Sequence, residues 1–162
     1  MSVFDTTAFA LRSRGNKYED FSVGQVFHHH WGRTITDGDA VNFATITCAW
    51  NPIYLNAEYA RAHGHEGLVV SPMLVLCTVV GLSVEDLSEA GGPFLGVEDC
   101  EFHQHVVAGD TVTATSTVLA VRESSSRPTT GIVTWHTEGW NQHGDRVVSY
   151  DRTNLVAKRD PR

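Results

Sequence analysis

A chain of 162 residues with 41% hydrophobic and 9% aromatic side chains is long enough to bury one substantial core and short enough to be one domain. Its formal charge of -7 and the lack of a basic stripe exclude binding to a phosphate backbone, so nucleic acid is not an expected partner. No segment approaches the roughly 20 apolar residues that span a bilayer, and the amino terminus lacks a basic stretch followed by an apolar one; a cytoplasmic protein without membrane contact is the expectation.

Residues 1–17 carry only a weak apolar pattern around Ser13, Gly15 and Asn16, the mark of an arm laid against a domain covering 18–158. Tyr18 to Gly24 is turn-rich, and Gln25 to Ile35 alternates as a strand does, with Asp37 placed to cap the helix that follows. Val41, Ala44, Thr45 and Cys48 recur at helical spacing between Ala40 and Trp50, and Asn51-Pro52 ends that helix. A second short helix is expected over Ala57 to His63, with Asn56 and Glu58 as surface or capping residues. From Met73 to Leu87 the pattern leaves hardly any polar face, which predicts a helix about 22 Å long enclosed nearly all round.

Beyond Gly91-Gly92-Pro93 the period changes to two. Phe94–Val107, Asp110–Val121, Gly131–Trp140 and Arg146–Ala157 are predicted strands, the last pair joined by a turn containing Gly144. One apolar helix followed by an antiparallel meander predicts an α+β domain in which a curved antiparallel sheet wraps a long buried helix, the hotdog architecture. Cys48, Cys77 and Cys100 are three in number and widely spaced, so they suit neither a disulfide framework nor a zinc site and are expected as reduced packing residues. The nine histidines include His28-His29-His30, His63-x-His65 and His103-x-His105, but no carboxylate or cysteine accompanies them at consistent spacing, so no metal is expected.

Arg33-Thr34-Ile35-Thr36, the Asn51-Pro52 loop, Pro72-Met73-Leu74 at the start of the apolar helix and Gly109-Asp110-Thr111 at the start of a strand, in this order, resemble the MaoC-like hotdog family of R-specific enoyl-thioester hydratases over about residues 18–158. Gly81-Leu82-Ser83-Val84-Glu85-Asp86, Arg122-Glu123-Ser124 through Arg127-Pro128, Gly131-Ile132-Val133 and Asn141-Gln142 resemble its branch acting on branched dicarboxylic acyl-CoAs such as mesaconyl-CoA or itaconyl-CoA. The resemblance implies a lyase that hydrates an α,β-unsaturated acyl-CoA or acyl-carrier-protein thioester, or dehydrates its product. It implies no cofactor beyond the thioester carrier itself.

The family loop supplies an aspartate and a histidine that hold water and exchange a proton; here those positions are Ala49 and Tyr54. Alanine has no exchangeable proton, and a phenol titrates near 10. At Ser71-Pro72 a proline stands where a backbone N–H is expected to polarise the thioester carbonyl, leaving Ser71 or Met73 as the donor. The candidate catalytic residues are therefore Tyr54, Asn51, His65 and Glu66. Ser71, Met73, His103 and His105, on a segment flanking the expected thioester tunnel, and Arg122 and Arg127, which could clamp a carboxylate or phosphate, are candidates for substrate binding. Two alternatives stay open: addition of an amine in place of water, and a non-catalytic hotdog subunit that binds thioesters or an active partner. The sheet has an edge to hide, so at least a homodimer is expected.

Overall fold

The structure is a computed structural model and describes residues 14–159. The expected arm over 1–17 lies largely outside these residues. The elements run β1 (Val26–His28), β2 (Arg33–Thr34), α1 (Asp37–Ile46), α2 (Ala57–Ala62), α3 (Pro72–Leu87), β3 (Phe94–Phe102), β4 (Thr111–Glu123), β5 (Thr130–Trp140) and β6 (Arg146–Ala157). Single turns of 3-10 helix at Tyr18–Asp20 and Pro52–Tyr54 complete the set. The strands form one antiparallel sheet in the order β1-β4-β5-β6-β3, with β2 beside one end of β4. α3 packs on one face of it, giving the hotdog arrangement.

Period-two patterning sets which side chains meet the helix. Along β5 burial alternates residue by residue, so Val133, Trp135 and Thr137 point at the helix layer while Ile132, Thr134 and His136 point away. Gly139 lies where the layers come closest: a Cβ there would sit 2.6 Å from Val79 of α3. Two apolar clusters result. One gathers Ile35, Val75, Val79, Val112, Val148 and Tyr150 around the first half of α3, and the other gathers Phe21, Leu87, Val118, Val133, Trp135 and Val156 around its end. Past the helix, Gly92 at φ +143 passes so near the Leu155 carbonyl that a Cβ there would overlap the oxygen, which is why the break carries glycine.

The structure departs from the sequence reading at six places. The strand expected over 25–35 is two short pieces, because His29 turns into the core and bonds to α3 and β4. Thr36, not Asp37, caps α1, accepting from the Asp39 N–H at 3.2 Å while Asp39 accepts from the Thr36 N–H at 2.9 Å. α1 ends at Ile46, ahead of Cys48, which sits at φ +56. The strand expected over 94–107 ends at Phe102; beyond it, Val106 accepts from the Val70 N–H at 2.8 Å and Val107 bridges to Val69, so the chain exchanges β6 for the segment preceding α3. Nor is α3 enclosed: Met73 is 53% exposed and Val84 37%, with Cys77 and Gly81 between them on one open stripe at helical spacing. All three cysteines are exposed rather than packed. Asn56 caps α2 by accepting from the Tyr59 N–H at 3.0 Å, the capping role expected of it.

Candidate active site at the start of the central helix

The change of partner after Phe102 opens a gap against the first turn of α3. It is a cavity of about 170 Å³ lined by Val70, Pro72 and Val75 on the helix side and by Phe102, His103, Gln104 and His105 on the other, with Val147 among its apolar contacts. That volume is below the roughly 300 Å³ at which drug-sized ligand pockets begin, and suits the reacting end of an acyl group rather than a whole carrier. Its polar groups all come from the segment that leaves the sheet. His103 is fixed from two sides, its N–H donating to the Val147 carbonyl at 3.0 Å and its Nε2 lying 2.8 Å from Ser149 Oγ. His105 meets His65 edge to face, with ring centroids 5.2 Å apart at 87°.

The Asn51–Leu55 loop is tied to the segment that leads into the cavity wall. Asn51 Oδ1 accepts from the Ile53 N–H at 3.2 Å, the Asn51 carbonyl accepts from the Tyr54 N–H at 3.0 Å, and the Ile53 carbonyl accepts from the Val69 N–H at 3.1 Å, which ties the loop beside the cavity wall. Asn51 thus holds the turn with its side chain. Tyr54 is half-buried, and its phenol has no hydrogen-bond partner among the described residues. Ala49, on the way in from α1, offers only a methyl group. Ser71 is buried and its hydroxyl makes no capping bond. The N–H groups of Leu74 and Val75 both turn back to the Ser71 carbonyl, at 2.9 and 3.2 Å, whereas the Met73 N–H has no backbone partner among the described residues. An unpaired N–H in the first turn of a 16-residue helix is a donor at the positive end of the macrodipole.

The structure therefore brings His103 and His105 to the cavity opposite Pro72, with His65 against the His105 ring, and ties the Asn51–Leu55 loop to Val69, the neighbour of the wall residue Val70. Glu66 is exposed, with no side-chain partner among the described residues. Arg122 and Arg127 stand elsewhere. Arg122 lines a groove of about 300 Å³ with Leu95, Ile132, Thr134 and Thr153, residues that alternate with the helix-facing ones and so belong to the opposite face of the sheet; Arg127 sits in the exposed turn between β4 and β5.

A second polar cluster, which the sequence reading missed, lies at the other end of α3. The His29 side chain is wholly buried, with Nδ1 2.7 Å from Asp86 Oδ2 and Nε2 2.9 Å from Ser116 Oγ; Ser116 in turn lies 2.8 Å from the Thr137 hydroxyl. Arg152, 1% exposed, donates to Ser83 Oγ at 3.1 Å and Ser88 Oγ at 3.2 Å, and its guanidinium lies 5.4 Å over the Trp135 ring. No carboxylate meets it among the described residues; its compensation is the hydroxyl pair, the aromatic face and the negative end of the helix dipole. Burial holds the His29 imidazole below its ordinary 6.5, against the opposing pull of Asp86, and burial pushes the Tyr150 phenol up to about 12. A signal was present in the sequence: Arg152 and Asn154 occupy helix-facing positions of a strand whose other helix-facing residues are Val148, Tyr150 and Val156, and a charge at such a position is a buried charge.

With this geometry in hand, comparison with known proteins identifies relatives. A family model described as mesaconyl-CoA hydratase matches residues 2–162. The mesaconyl-CoA hydratase of Haloarcula hispanica is 42% identical over 151 residues, covering 93% of this chain and 42% of the relative. The crystal structure of a MaoC domain protein dehydratase from Chloroflexus aurantiacus is 32% identical and superposes with a TM-score of 0.84, covering 94% of this chain and 43% of that one. A Mycobacterium tuberculosis protein with a double hotdog fold shares the fold at a TM-score of 0.77 and 23% identity, over 94% of this chain and 48% of its own. The chain spans less than half the length of these relatives.

Proposed function

We propose, from the premise that this chain belongs to the mesaconyl-CoA hydratase family, that it binds an α,β-unsaturated acyl-CoA thioester at the start of α3 and adds water across the double bond, or removes it in the reverse direction. The observation that carries this reading is that His103 and His105 line the cavity, with His65 packed edge to face on His105. Imidazole exchanges protons near neutral pH, which neither the methyl of Ala49 nor the phenol of Tyr54 does.

In the forward direction His105 takes a proton from water as its oxygen bonds to the β-carbon, and the π electrons move to the α-carbon and thioester carbonyl. The Met73 N–H holds the developing oxyanion. The α-carbon is then protonated from the His105 imidazolium just formed, which returns His105 to its starting state. His65 orients His105 through the edge-to-face contact, and Asn51 keeps the loop against the wall. The apolar walls formed by Val70, Val75 and Val147 receive the acyl group. A second copy of the chain covers the sheet edge in at least a homodimer.

The test incubates the purified protein in heavy-oxygen water with a panel of unbranched and branched dicarboxylic enoyl-CoAs and follows label by mass spectrometry. Wild type incorporates label, and His105→Ala reduces the rate by about 10²–10⁴-fold, the range for loss of a positioned acid–base group. The absence of the family dyad at Ala49 and Tyr54 favours one other reading, a unit that binds the thioester for a partner. Thioester binding without label incorporation from any substrate would establish it.

A further inference from the structure

The chain that carries the cavity's histidines lies outside the strands, and neither Gln104 nor His105 makes a backbone hydrogen bond among the described residues. His105 therefore stands where its neighbours hold it. On one side the His103 N–H donates to the Val147 carbonyl at 3.0 Å. On the other, the Val106 carbonyl accepts from the Val70 N–H at 2.8 Å, and the next residue is held by Asp110. The Val107 N–H donates to Asp110 Oδ2 at 2.9 Å, while the Asp110 N–H donates to the Val107 carbonyl at 3.1 Å. The Asp110 side chain is buried among these groups, and the donor to its second oxygen comes from a turn 32 residues on: Gln142 Nε2 donates to Asp110 Oδ1 at 2.7 Å. Gln142 Oε1 accepts from the Thr111 N–H at 3.0 Å, so the amide grips Asp110 and its neighbour together.

The turn in which Gln142 sits does not need its side chain. Asn141 closes that turn, its Oδ1 accepting from the His143 and Asp145 N–H groups, both at 2.9 Å, and its own N–H donating to the Asp145 carbonyl at 3.0 Å. The Gln142 amide is directed across to Asp110 and Thr111 instead, with His143 Nε2 3.0 Å from its nitrogen. One hairpin, β5–β6, thus holds the histidine segment on both sides of His105, through Val147 before it and through Gln142 after it. We propose that Gln142 and Asp110 are positioning residues for His105, a clamp that fixes the Val107 end of the segment and with it the distance from the imidazole to the first turn of α3. This assignment rests on the reading of His105 as the group that moves the proton in hydration. A catalytic group displaced by about 1 Å can lose about 10²-fold in rate, so a clamp remote from the substrate still acts on the chemistry.

The test exchanges donor and acceptor across the clamp. Gln142→Glu keeps the acceptor for the Thr111 N–H but sets one carboxylate against another, and is expected to lower kcat for hydration of a dicarboxylic enoyl-CoA by about 10- to 100-fold with KM little changed. Adding Asp110→Asn places an amide donor opposite the new carboxylate, and the double variant recovers most of the lost kcat, whereas Asp110→Asn alone does not reach the wild-type rate. Rates are taken per folded molecule, with folding checked by circular dichroism. Nitrogen-15 spectra of the imidazoles provide a second readout, in which the His105 signals move in Gln142→Glu and return in the double variant. A wild-type kcat in folded Gln142→Glu overturns the proposal, as does a double variant no faster than Gln142→Glu. Gln142→Leu, a change at an exposed position that removes both bonds, is expected to show the same loss of kcat and stands in if the double variant fails to fold; an unchanged rate there overturns the proposal as well. Wild type that incorporates no label removes the hydration reading and leaves the clamp to the spectra, where an unmoved His105 ring overturns it.

Discussion

The two ends of α3 hold polar groups of opposite character. At its start the histidines are reachable: His105 is exposed, His65 is half-buried against it, and the cavity lies between His105 and the first turn of the helix. At its end His29 and Arg152 are sealed, each polar contact going to a neighbouring element, and both ionisations are lowered by burial. A perturbed ionisation often marks a functional site. In this protein it marks the joint between helix and sheet. What distinguishes the two ends is access, and burial is the largest cause of the shifts at His29 and Arg152.

The contrast can be broken hardest at the sealed end. Trp135→Ala removes a fully buried aromatic and the face over which Arg152 sits, and is expected to cost about 3–5 kcal/mol in denaturant unfolding, the usual range for a buried aromatic truncated to alanine. Asp86→Ala leaves the buried His29 Nδ1 without its partner and is expected to cost about 1–3 kcal/mol, while His105→Ala, at the open end, shifts the unfolding midpoint far less than it shifts the hydration rate.

Smaller still is the pH dependence. His29 is held below 6.5 when folded, so the unfolded chain binds more protons once the pH falls toward and below that value. Stability is therefore flat with respect to this group above 6.5 and declines below it, down to the folded-state value, by at most about 1.4 kcal/mol per pH unit. His29→Gln removes that slope from a series of urea midpoints. Arg122→Ala, on the far face of the sheet, completes the ordering: it is expected to change stability by no more than about 0.5 kcal/mol and to leave label incorporation unchanged.

Much of this was legible beforehand. The apolar run from Met73 to Leu87 and the alternation from Thr111 onward follow from local period, and local period fixes which face of an element is buried wherever the partner face lies in the same chain. The pattern predicts a helix enclosed nearly all round, whereas Met73, Cys77, Gly81 and Val84 stay open: composition reports that a face is apolar but not whether this sheet is wide enough to cover it. His65 and His105 were each singled out in the sequence, yet their contact depends on the chain leaving β6 after Phe102, a choice made between two distant partners that no local pattern records.

By itself, then, the sequence determined the main element types and the hotdog class, because each of these is written in short-range periodicity. The tertiary structure alone decided which histidines share a cavity, that Arg122 faces away from it, and that His29, Asp86 and Arg152 lock the end of α3 to the sheet. Those outcomes depend on pairings across tens of residues, where the cost of leaving a polar group or an apolar face uncovered is settled by the whole fold at once.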